Sequence, residues 1–318
     1  MTERSEVEQL KSKIKTLSDV VWDGRVDEPA IDQWLNNFTG ERESVELERL
    51  SALRLLSHFT FFGVREFRVI MQALYRDCFQ YPLIRNIRRE LKGTKDSERV
   101  QAHFLQEQAA SKFLGMGNPS ESGSHILYYF RQENGLSRKS FINQHQLFTG
   151  PVSDSSTSFA DSSLRRLVWV DDLLGSGQQA HEYSRGLLQD IRAISERSGQ
   201  PVELLYLVAF AKTDGLKHAR TALFDDVRVV HELDDSQAVF SQNSRIYTDS
   251  EHSAVAAAGE SIARHYGEKL LPGHGLGYRN GQMMLGFQHN IPDNTLPIFW
   301  CDEMPDYWTP IFPRYPKV

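Results

Sequence analysis

The residues best suited to chemistry lie in the segment Leu167–Gln179, which reads LVWVDDLLGSGQQ. Four apolar residues end in the paired acids Asp171 and Asp172, and two more apolar residues lead into a small-residue turn and a predicted helix. The N–H groups of such a turn and helix start bind phosphate, and adjacent carboxylates suit ribose hydroxyls or Mg²⁺. The pattern therefore predicts a sugar-phosphate site. Its phosphate-binding residues are Gly175, Ser176, Gly177, Gln178 and Gln179.

Other interpretations of a strand that ends in two acids stay open. The Walker B strand of P-loop NTPases has the same pattern, but those enzymes also need GxxxxGK[ST], and the nearest segment, residues 135–140, has the wrong spacing. An acidic pocket of the receiver or phosphatase type is a second alternative. A plain turn built from Asp and Gly is the third.

The order of residues in this segment resembles the phosphoribosyl pyrophosphate (PRPP) loop of type I phosphoribosyltransferases. By that resemblance, Asp171 and Asp172 hold the ribose hydroxyls, with Mg²⁺ as the expected cofactor, and residues 175–179 anchor the 5′-phosphate. Gln179 departs from the pattern, because the family usually has Thr or Ser there. The resemblance therefore predicts binding more firmly than it predicts turnover.

Two further segments fall where that family has ligand-binding loops. The small polar loop at residues 117–124 is in the place of the loop that gives backbone N–H groups to pyrophosphate, and its predicted contacts are Ser122, Gly123 and Ser124. A plain connecting turn remains the alternative. The Ser-rich segment Thr149–Ser163 is in the place of the loop that covers the active site. It contains no Lys or Arg to meet the charge of the leaving pyrophosphate, which again predicts weak or unusual chemistry.

The elements that follow the acids predict the fold. A helix over 178–197 leads to a strand over 202–211, a second helix over 216–224, and a strand over 227–233. This alternation predicts an α/β fold with a parallel, Rossmann-like sheet. Ligands of such sheets lie at the carboxyl ends of the strands, so Lys212 is a candidate for a phosphate or a base carbonyl. A surface lysine with its charged end in solvent is the alternative.

The first part of the chain has a helical pattern. Apolar residues recur at helical spacing, one helix is predicted over 64–81, ending before Pro82, and another over 101–114, stopped by Gly115. We therefore expect a helical N-terminal region over residues 1–115, followed by a phosphoribosyltransferase-like domain over 116–318 that includes a C-terminal extension.

The C-terminal part adds a second resemblance. Residues 289–300 read HNIPDNTLPIFW, and residues 277–287 before them read GYRNGQMMLGF. Together with Trp34 near the start, this pattern is similar to the phosphoribosyltransferase-like family with a C-terminal extension (PRTase-CE) of bacterial conflict operons. The resemblance implies that this part forms a hood over the ligand, with His289, Asn290 and Asn294 as its polar candidates. Structural roles for these three residues in turns or in the core remain open.

Composition excludes several classes of protein. The net charge of −6 argues against a general nucleic-acid-binding surface. The longest apolar run, Leu204–Ala211, is too short to cross a bilayer, and the charged start gives no export signal. Two cysteines, Cys78 and Cys301, are too few for a disulfide framework. We therefore expect a cytoplasmic protein without membrane contact, and the sequence leaves self-association open.

These features favour a phosphoribosyltransferase-like effector of anti-phage defence that binds PRPP or a nucleotide with Mg²⁺ and transfers or hydrolyses the phosphoribosyl group. The alternative is a subunit that kept the pocket, lost catalysis, and docks a defence partner such as a retron reverse transcriptase with its RNA. A nucleotide-salvage transferase is a third hypothesis. The long helical front and the extended C-terminal part exceed what salvage enzymes of this class need.

Overall fold

The computed structural model describes residues 3–117, 122–247 and 252–314. Within these ranges the helices are α1 (Glu3–Val20), α2 (Glu28–Leu35), α3 (Val45–Leu56), α4 (Val64–Tyr75), α5 (Tyr81–Glu90), α6 (Ser97–Ala109), α7 (Ser122–Glu133), α8 (Gln178–Tyr183), α9 (Gln189–Ser198), α10 (Thr213–Ala219), α11 (His252–Leu270) and α12 (Pro297–Trp300). The strands are β1 (Thr60–Phe62), β2 (Ser111–Gly115), β3 (Arg166–Leu174), β4 (Glu203–Lys212), β5 (Asp226–Leu233) and β6 (Leu285–Phe287). Single π-helical turns, Arg76–Gln80 and Ser184–Leu188, join α4 to α5 and α8 to α9.

The chain divides into two compact units. Unit 1 consists of Met1–Phe67 and Asp234–Val318, and unit 2 is the continuous stretch Arg68–Leu233. The boundary expected after residue 115 lies inside unit 2, at the end of β2. The acidic motif is thus in unit 2, and the segment with the tryptophan-rich pattern is in unit 1.

Unit 2 is built on a four-stranded sheet. Its strands run in the order β2-β3-β4-β5, and every neighbouring pair is parallel. The two central strands are apolar along most of their length and almost wholly buried, as expected for strands covered on both faces. The predicted α/β class with a parallel, Rossmann-like sheet is confirmed.

One core of unit 2 joins the sheet to the helices that follow the acidic motif. Trp169 of β3 and Tyr206 of β4 belong to the same buried cluster as Leu188, Ile191 and Ile194. A separate aromatic group packs on β2, where the ring of Phe113 lies 5.2 Å from that of Phe79 and 5.3 Å from that of Phe130. Helices and turns therefore pack against the sheet at β2 as well as at β3 and β4.

Two expectations for the N-terminal region are wrong. The helix over 64–81 does not stop before Pro82, because a π-helical turn precedes α5 and places the proline in the first turn, where its missing N–H is tolerated. The helix over 101–114 ends at Ala109, and residues 111–115 form β2 instead. Phe113 and Leu114 are buried and lie in register with β3, so tertiary pairing overrides the local helical pattern.

Unit 1 packs both ends of the described chain into one aromatic core. The indole N–H groups of Trp34 and Trp308 both donate to the carbonyl of Ile298, at 2.8 and 3.1 Å. Trp300 donates to the carbonyl of Thr295 at 2.9 Å. Strands β1 and β6 form a short parallel pair beside these contacts. Within the described ranges, no helix has both the length and the apolar character needed to cross a bilayer.

A buried carboxylate organises the loop before α3 in unit 1. Glu48 accepts hydrogen bonds from the backbone N–H groups of Gly40 and Arg42, each at 2.8 Å, and of Glu43 at 3.1 Å. The Tyr266 hydroxyl donates a fourth, at 2.6 Å. Burial alone raises the pKa of Glu48, but these four bonds outweigh it and hold the pKa below its ordinary value.

Candidate functional site

The paired acids lie near the end of β3, which is longer than the sequence suggested. The strand continues through Leu173 to Leu174, and Asp171 pairs in register with Val208 of β4. Both acids are buried, each with 5% of its surface exposed. The acids are therefore held by the rigid sheet and not by the turn that follows it.

Asp171 is engaged by the protein at both carboxylate oxygens. Its Oδ2 accepts a 2.6 Å hydrogen bond from the Tyr206 hydroxyl, and its Oδ1 accepts the backbone N–H of Asp172 at 2.9 Å. Burial raises the pKa of the Asp171 carboxyl well above its ordinary value, and the adjacent charge of Asp172 raises it further. Burial and the nearby Asp171 also raise the pKa of Tyr206. The buried pair of acids therefore favours carrying fewer than two negative charges.

The turn after β3 packs directly against α10. Gly177 has φ of 75°, a left-handed conformation that favours glycine. A Cβ at Gly215 would lie 2.1 Å from the Gly175 carbonyl oxygen, and a Cβ at Gly177 would lie 2.7 Å from the Gly215 carbonyl oxygen. Backbone meets backbone on this surface, so both sides require glycine.

The carbonyl groups of the turn face α10. The Gly175 oxygen lies against Gly215, and the Ser176 oxygen accepts a 3.0 Å hydrogen bond from Nδ1 of His218. The described peptide bonds are all trans, and the C=O and N–H of a trans peptide point in opposite directions. The N–H groups of Ser176 and Gly177 therefore point away from α10. In the part of the chain that the structure describes, neither donates to a protein acceptor.

Helix α8 begins at Gln178, in agreement with the sequence. Gly177 is its N-cap, and the Gln178 N–H lies 3.3 Å from the Ser176 hydroxyl oxygen. The Gln178 side chain donates to Glu182 one turn further along, at 3.1 Å. Gln179 is the second residue of the helix. The predicted order of strand, acids, small-residue turn and helix start is thus present in unit 2.

Two histidines that the sequence gives no reason to expect, His181 and His218, lie beside the turn. The His181 ring of α8 stacks on the His218 ring of α10, with centroids 4.1 Å apart and planes at 22°. His181 Nε2 donates to the His218 carbonyl at 2.9 Å, and the Thr221 hydroxyl donates to the same oxygen at 2.8 Å. These residues carry no sequence signal, because their pairing depends on how α8 and α10 pack.

The predicted pyrophosphate-side residues are only partly described. The backbone of Ser122, Gly123 and Ser124 forms the first turn of α7, whereas their side chains lie outside the described residues. The chain that leads towards them is tied to α8, because the Tyr183 hydroxyl both accepts the Gly117 N–H at 2.9 Å and donates to its carbonyl at 3.0 Å. Tyr183 therefore links the end of β2 to the helix that follows the acidic motif.

The Ser-rich segment over 149–163 has contacts of its own. Phe148 and Phe159 form an antiparallel bridge, and the Thr149 N–H donates to the Ser158 carbonyl at 3.0 Å. Although this segment contains no basic residue, Lys112 forms an ion pair with its Asp161 at 3.1 Å. A basic side chain thus reaches the segment from β2.

The residues after β4 lie beside the turn. Lys212 ends the strand, and Thr213 begins α10, two residues before the Gly215 that contacts Gly175. The Thr213 hydroxyl is buried and has no hydrogen-bond partner among the described residues. A buried hydroxyl without a partner is uncommon in proteins, and this one lies where the sheet ends.

The three hood candidates belong to unit 1 and make contacts there. Asn294 donates to the Tyr278 carbonyl at 3.1 Å, and Asn290 accepts from Arg314 at 3.3 Å. The His289 ring lies 4.5 Å from the Phe67 ring and stacks 5.5 Å from the Phe287 ring. These contacts are structural ones, and the hood role remains a prediction.

The two acids of the motif suit Mg²⁺ only together with a bound ligand that supplies further oxygen atoms. Among the described residues no group of three or more His, Cys, Asp or Glu side chains is arranged to hold a metal ion. Mg²⁺ usually binds through one or two carboxylates together with substrate phosphates and water. Asp171 and Asp172 fit that use, and they do not form an all-protein cage.

The fold and the motif together define the class of protein. A parallel α/β sheet with two acids near the end of a central strand and a glycine turn before a helix is phosphoribosyltransferase-like. A family model confirms this assignment, since residues 31–314 match PRTase-CE, and the chain belongs to that family. No curated protein and no solved structure matches the chain. The predicted membership of the PRTase-CE family is therefore confirmed by the family model.

Proposed function

We propose that the protein binds PRPP or a nucleotide, with Mg²⁺, at the turn over residues 175–179, and transfers or hydrolyses the phosphoribosyl group. The orientation of the Ser176 and Gly177 amides carries this proposal. Both point away from α10, neither is used by the described protein, and they precede the first turn of α8. Neighbouring backbone N–H groups at a helix start form a favourable site for a phosphate.

The chain's own residues supply orientation more than proton transfer. The amides hold the 5′-phosphate, so binding energy from this remote group orients C1′ for reaction. The acids hold the ribose hydroxyls while the ring gains positive charge, and Tyr206 fixes Asp171 through its 2.6 Å hydrogen bond. Mg²⁺, when bound, would neutralise the negative charge of the pyrophosphate leaving group. A base nitrogen or water serves as the acceptor.

The biological role in this proposal is defence against phage, with the reaction acting on the host's PRPP or nucleotide pool. Membership of PRTase-CE supports it together with the resemblance to proteins of conflict operons. Cells that express the protein with its operon neighbours are expected to resist phage, and those carrying Asp172→Asn to be sensitive. The plating efficiency of phage on the wild-type and Asp172→Asn strains measures this difference in resistance. Equal plating on both strains would contradict the defence role.

Calorimetric titration with PRPP and Mg²⁺ tests the site itself. Wild-type protein is expected to bind, and Asp172→Asn to bind about tenfold or more weakly, because a carboxylate that contacts the ligand is lost. Asp190→Asn is the matched control, since Asp190 lies in the first turn of α9, outside the motif. Absence of wild-type binding, or equal affinity of Asp172→Asn and wild type, would overturn the proposal.

A second function is favoured by the engagement of Asp171. Both of its oxygens already accept hydrogen bonds from the protein, and Gln179 replaces the usual hydroxyl residue. A subunit that binds the ligand as a sensor and docks a defence partner does not need free oxygens on Asp171 or a hydroxyl residue at position 179. Pyrophosphate release from PRPP distinguishes the two functions. Release with a candidate base or water supports the enzyme, and tight binding without release supports the sensor.

A further inference from the structure

The orientation of the Ser176–Gly177 peptide depends on side chains outside the acidic motif. The only hydrogen bond that the Ser176 carbonyl accepts from a side chain in the described part of the chain comes from His218, at 3.0 Å. His218 is itself held by its stacking contact with His181 and by the bond from His181 Nε2 to its carbonyl. The chain of contacts therefore runs from α8 through α10 back to the turn.

We propose that His218 is a positioning residue for phosphate binding and that His181 supports it. This inference rests on the proposed function. His218 holds the Ser176 carbonyl towards α10 and thereby keeps the Gly177 N–H directed at the 5′-phosphate. Neither histidine contacts the phosphate in this arrangement. Their effect is transmitted through one peptide unit.

The conformational freedom of Gly177 makes a restraint on the Ser176–Gly177 peptide necessary. Gly177 adopts the left-handed conformation at no steric cost and can also adopt others, so the peptide before it can rotate. If it rotated, the Ser176 carbonyl would replace the Gly177 N–H on the ligand side. A carbonyl oxygen repels a phosphate oxygen, whereas an N–H attracts it. The hydrogen bond from His218 opposes that rotation.

Substitutions that keep or remove one nitrogen test the proposal. In His218→Asn the side-chain amide nitrogen takes the place of Nδ1, and in His218→Leu no donor remains. His181→Gln places a nitrogen near the position of Nε2, and His181→Leu removes it. We expect His218→Leu to weaken PRPP binding about tenfold, which is the effect of one hydrogen bond, and His218→Asn to restore most of the loss. The His181 pair should show the same order with a smaller difference.

Pyrophosphate is the control ligand, because it lacks the 5′-phosphate. Its affinity should not differ between wild type and His218→Leu, and thermal melting should show that both are folded. A variant that loses PRPP and pyrophosphate equally would overturn the positioning role and indicate general damage. Equal PRPP affinity in all variants would overturn it as well, while leaving the proposed function intact. Failure of the wild type to bind PRPP would overturn both proposals.

Discussion

Asp171 shows how a single acid can belong to a site and still be held by the protein. Its carboxylate accepts hydrogen bonds from Tyr206 and from the Asp172 backbone, and its pKa is raised by burial. A raised pKa means that the folded state holds the proton more tightly than the unfolded state. Ionisation of Asp171 therefore costs stability.

The pH dependence of Asp171→Asn follows from that shift. Stability of the wild type should fall as the pH rises above the ordinary carboxyl value of about 4, because the unfolded chain then releases the proton more readily. Asparagine keeps one oxygen for the Asp172 N–H and can donate its amide N–H to the Tyr206 hydroxyl oxygen, as the protonated acid does, without the charge. We expect Asp171→Asn to melt a few degrees higher than wild type at neutral pH, where about 1 kcal/mol corresponds to roughly 2–4 °C.

Melting curves across the pH range measure this difference. It should shrink as the pH approaches the ordinary value and vanish below it, since both proteins are then neutral at this position. A variant that melts below wild type at neutral pH, or a difference that does not depend on pH, would contradict a raised pKa of Asp171 in the folded protein.

At the residue scale, the sequence predicts the candidate site residues but not the side chains that contact them. Asp171, Asp172 and the turn lie within a few positions of each other, so their spacing is visible directly. Tyr206 and His218 lie far along the chain, and they reach the motif only through the pairing of β3 with β4 and the packing of α10. A local sequence pattern therefore does not show that Tyr206 and His218 lie close to the motif in the fold.

The element that decides the shape of the turn is α10. It contacts the turn through Gly215 and His218, and its Leu216 and Ala219 side chains are buried in the core of unit 2. The order of the strands in the sheet also bears on the role of α10. Open α/β sheets usually bind ligands where the strand order reverses, but the order β2-β3-β4-β5 has no reversal within the described residues. We therefore expect the proposed site to depend on the turn and α10 themselves.

Gly215→Ala tests this contact. The added Cβ would lie 2.1 Å from the Gly175 oxygen, so α10 or the turn must move. We expect a loss of about 1–3 kcal/mol in stability, typical of overpacking, and weaker PRPP binding. Gly186→Ala is the matched control, because nothing lies within 4 Å of its Cβ position. Denaturant unfolding and calorimetry measure both, and similar behaviour of the two variants would contradict the role of α10.

Sequence predicted the elements around the motif well and those before it less well. The strands and helices after the acids have strong patterns because both faces of the sheet are covered. For β2 the sequence predicts the end of a helix, since Ser111–Gly115 is short and follows a true helical repeat. Only its pairing with β3 makes it a strand.

At the scale of the whole molecule, the acidic motif and the aromatic core lie in different units. Four of the five tryptophans are in unit 1, and Trp169 alone is in unit 2. The division was not readable from the sequence, because unit 1 joins segments from both sides of unit 2. A discontinuous unit leaves no composition change at its boundaries.

Glu48→Ala is expected to weaken unit 1 without changing the proposed site. Removing the carboxylate leaves three backbone N–H groups and the Tyr266 hydroxyl without their acceptor, which we expect to cost about 3 kcal/mol. PRPP affinity at low temperature should stay at the wild-type value, because residues 171–179 belong to unit 2. Glu46→Ala, on the exposed face of the same helix, is the control.

Tryptophan fluorescence and calorimetry measure these two outcomes separately. Because the pKa of Glu48 is held below its ordinary value, its contribution should be present above about pH 4.5 and lost as the pH falls further. The difference between Glu48→Ala and wild type should therefore narrow in acid. A large loss of PRPP affinity in the folded variant would show that unit 1 takes part in binding.

The shared acceptor of Trp34 and Trp308 has a consequence for how the protein is made. Ile298, which bonds both indoles, leaves the ribosome long after Trp34 does. Unit 2 is continuous and can fold during synthesis, as domains generally do, whereas the early helices must wait with their aromatic side chains uncovered. A chaperone that shields nascent apolar surface should therefore bind the first 67 residues until the last tryptophan has emerged.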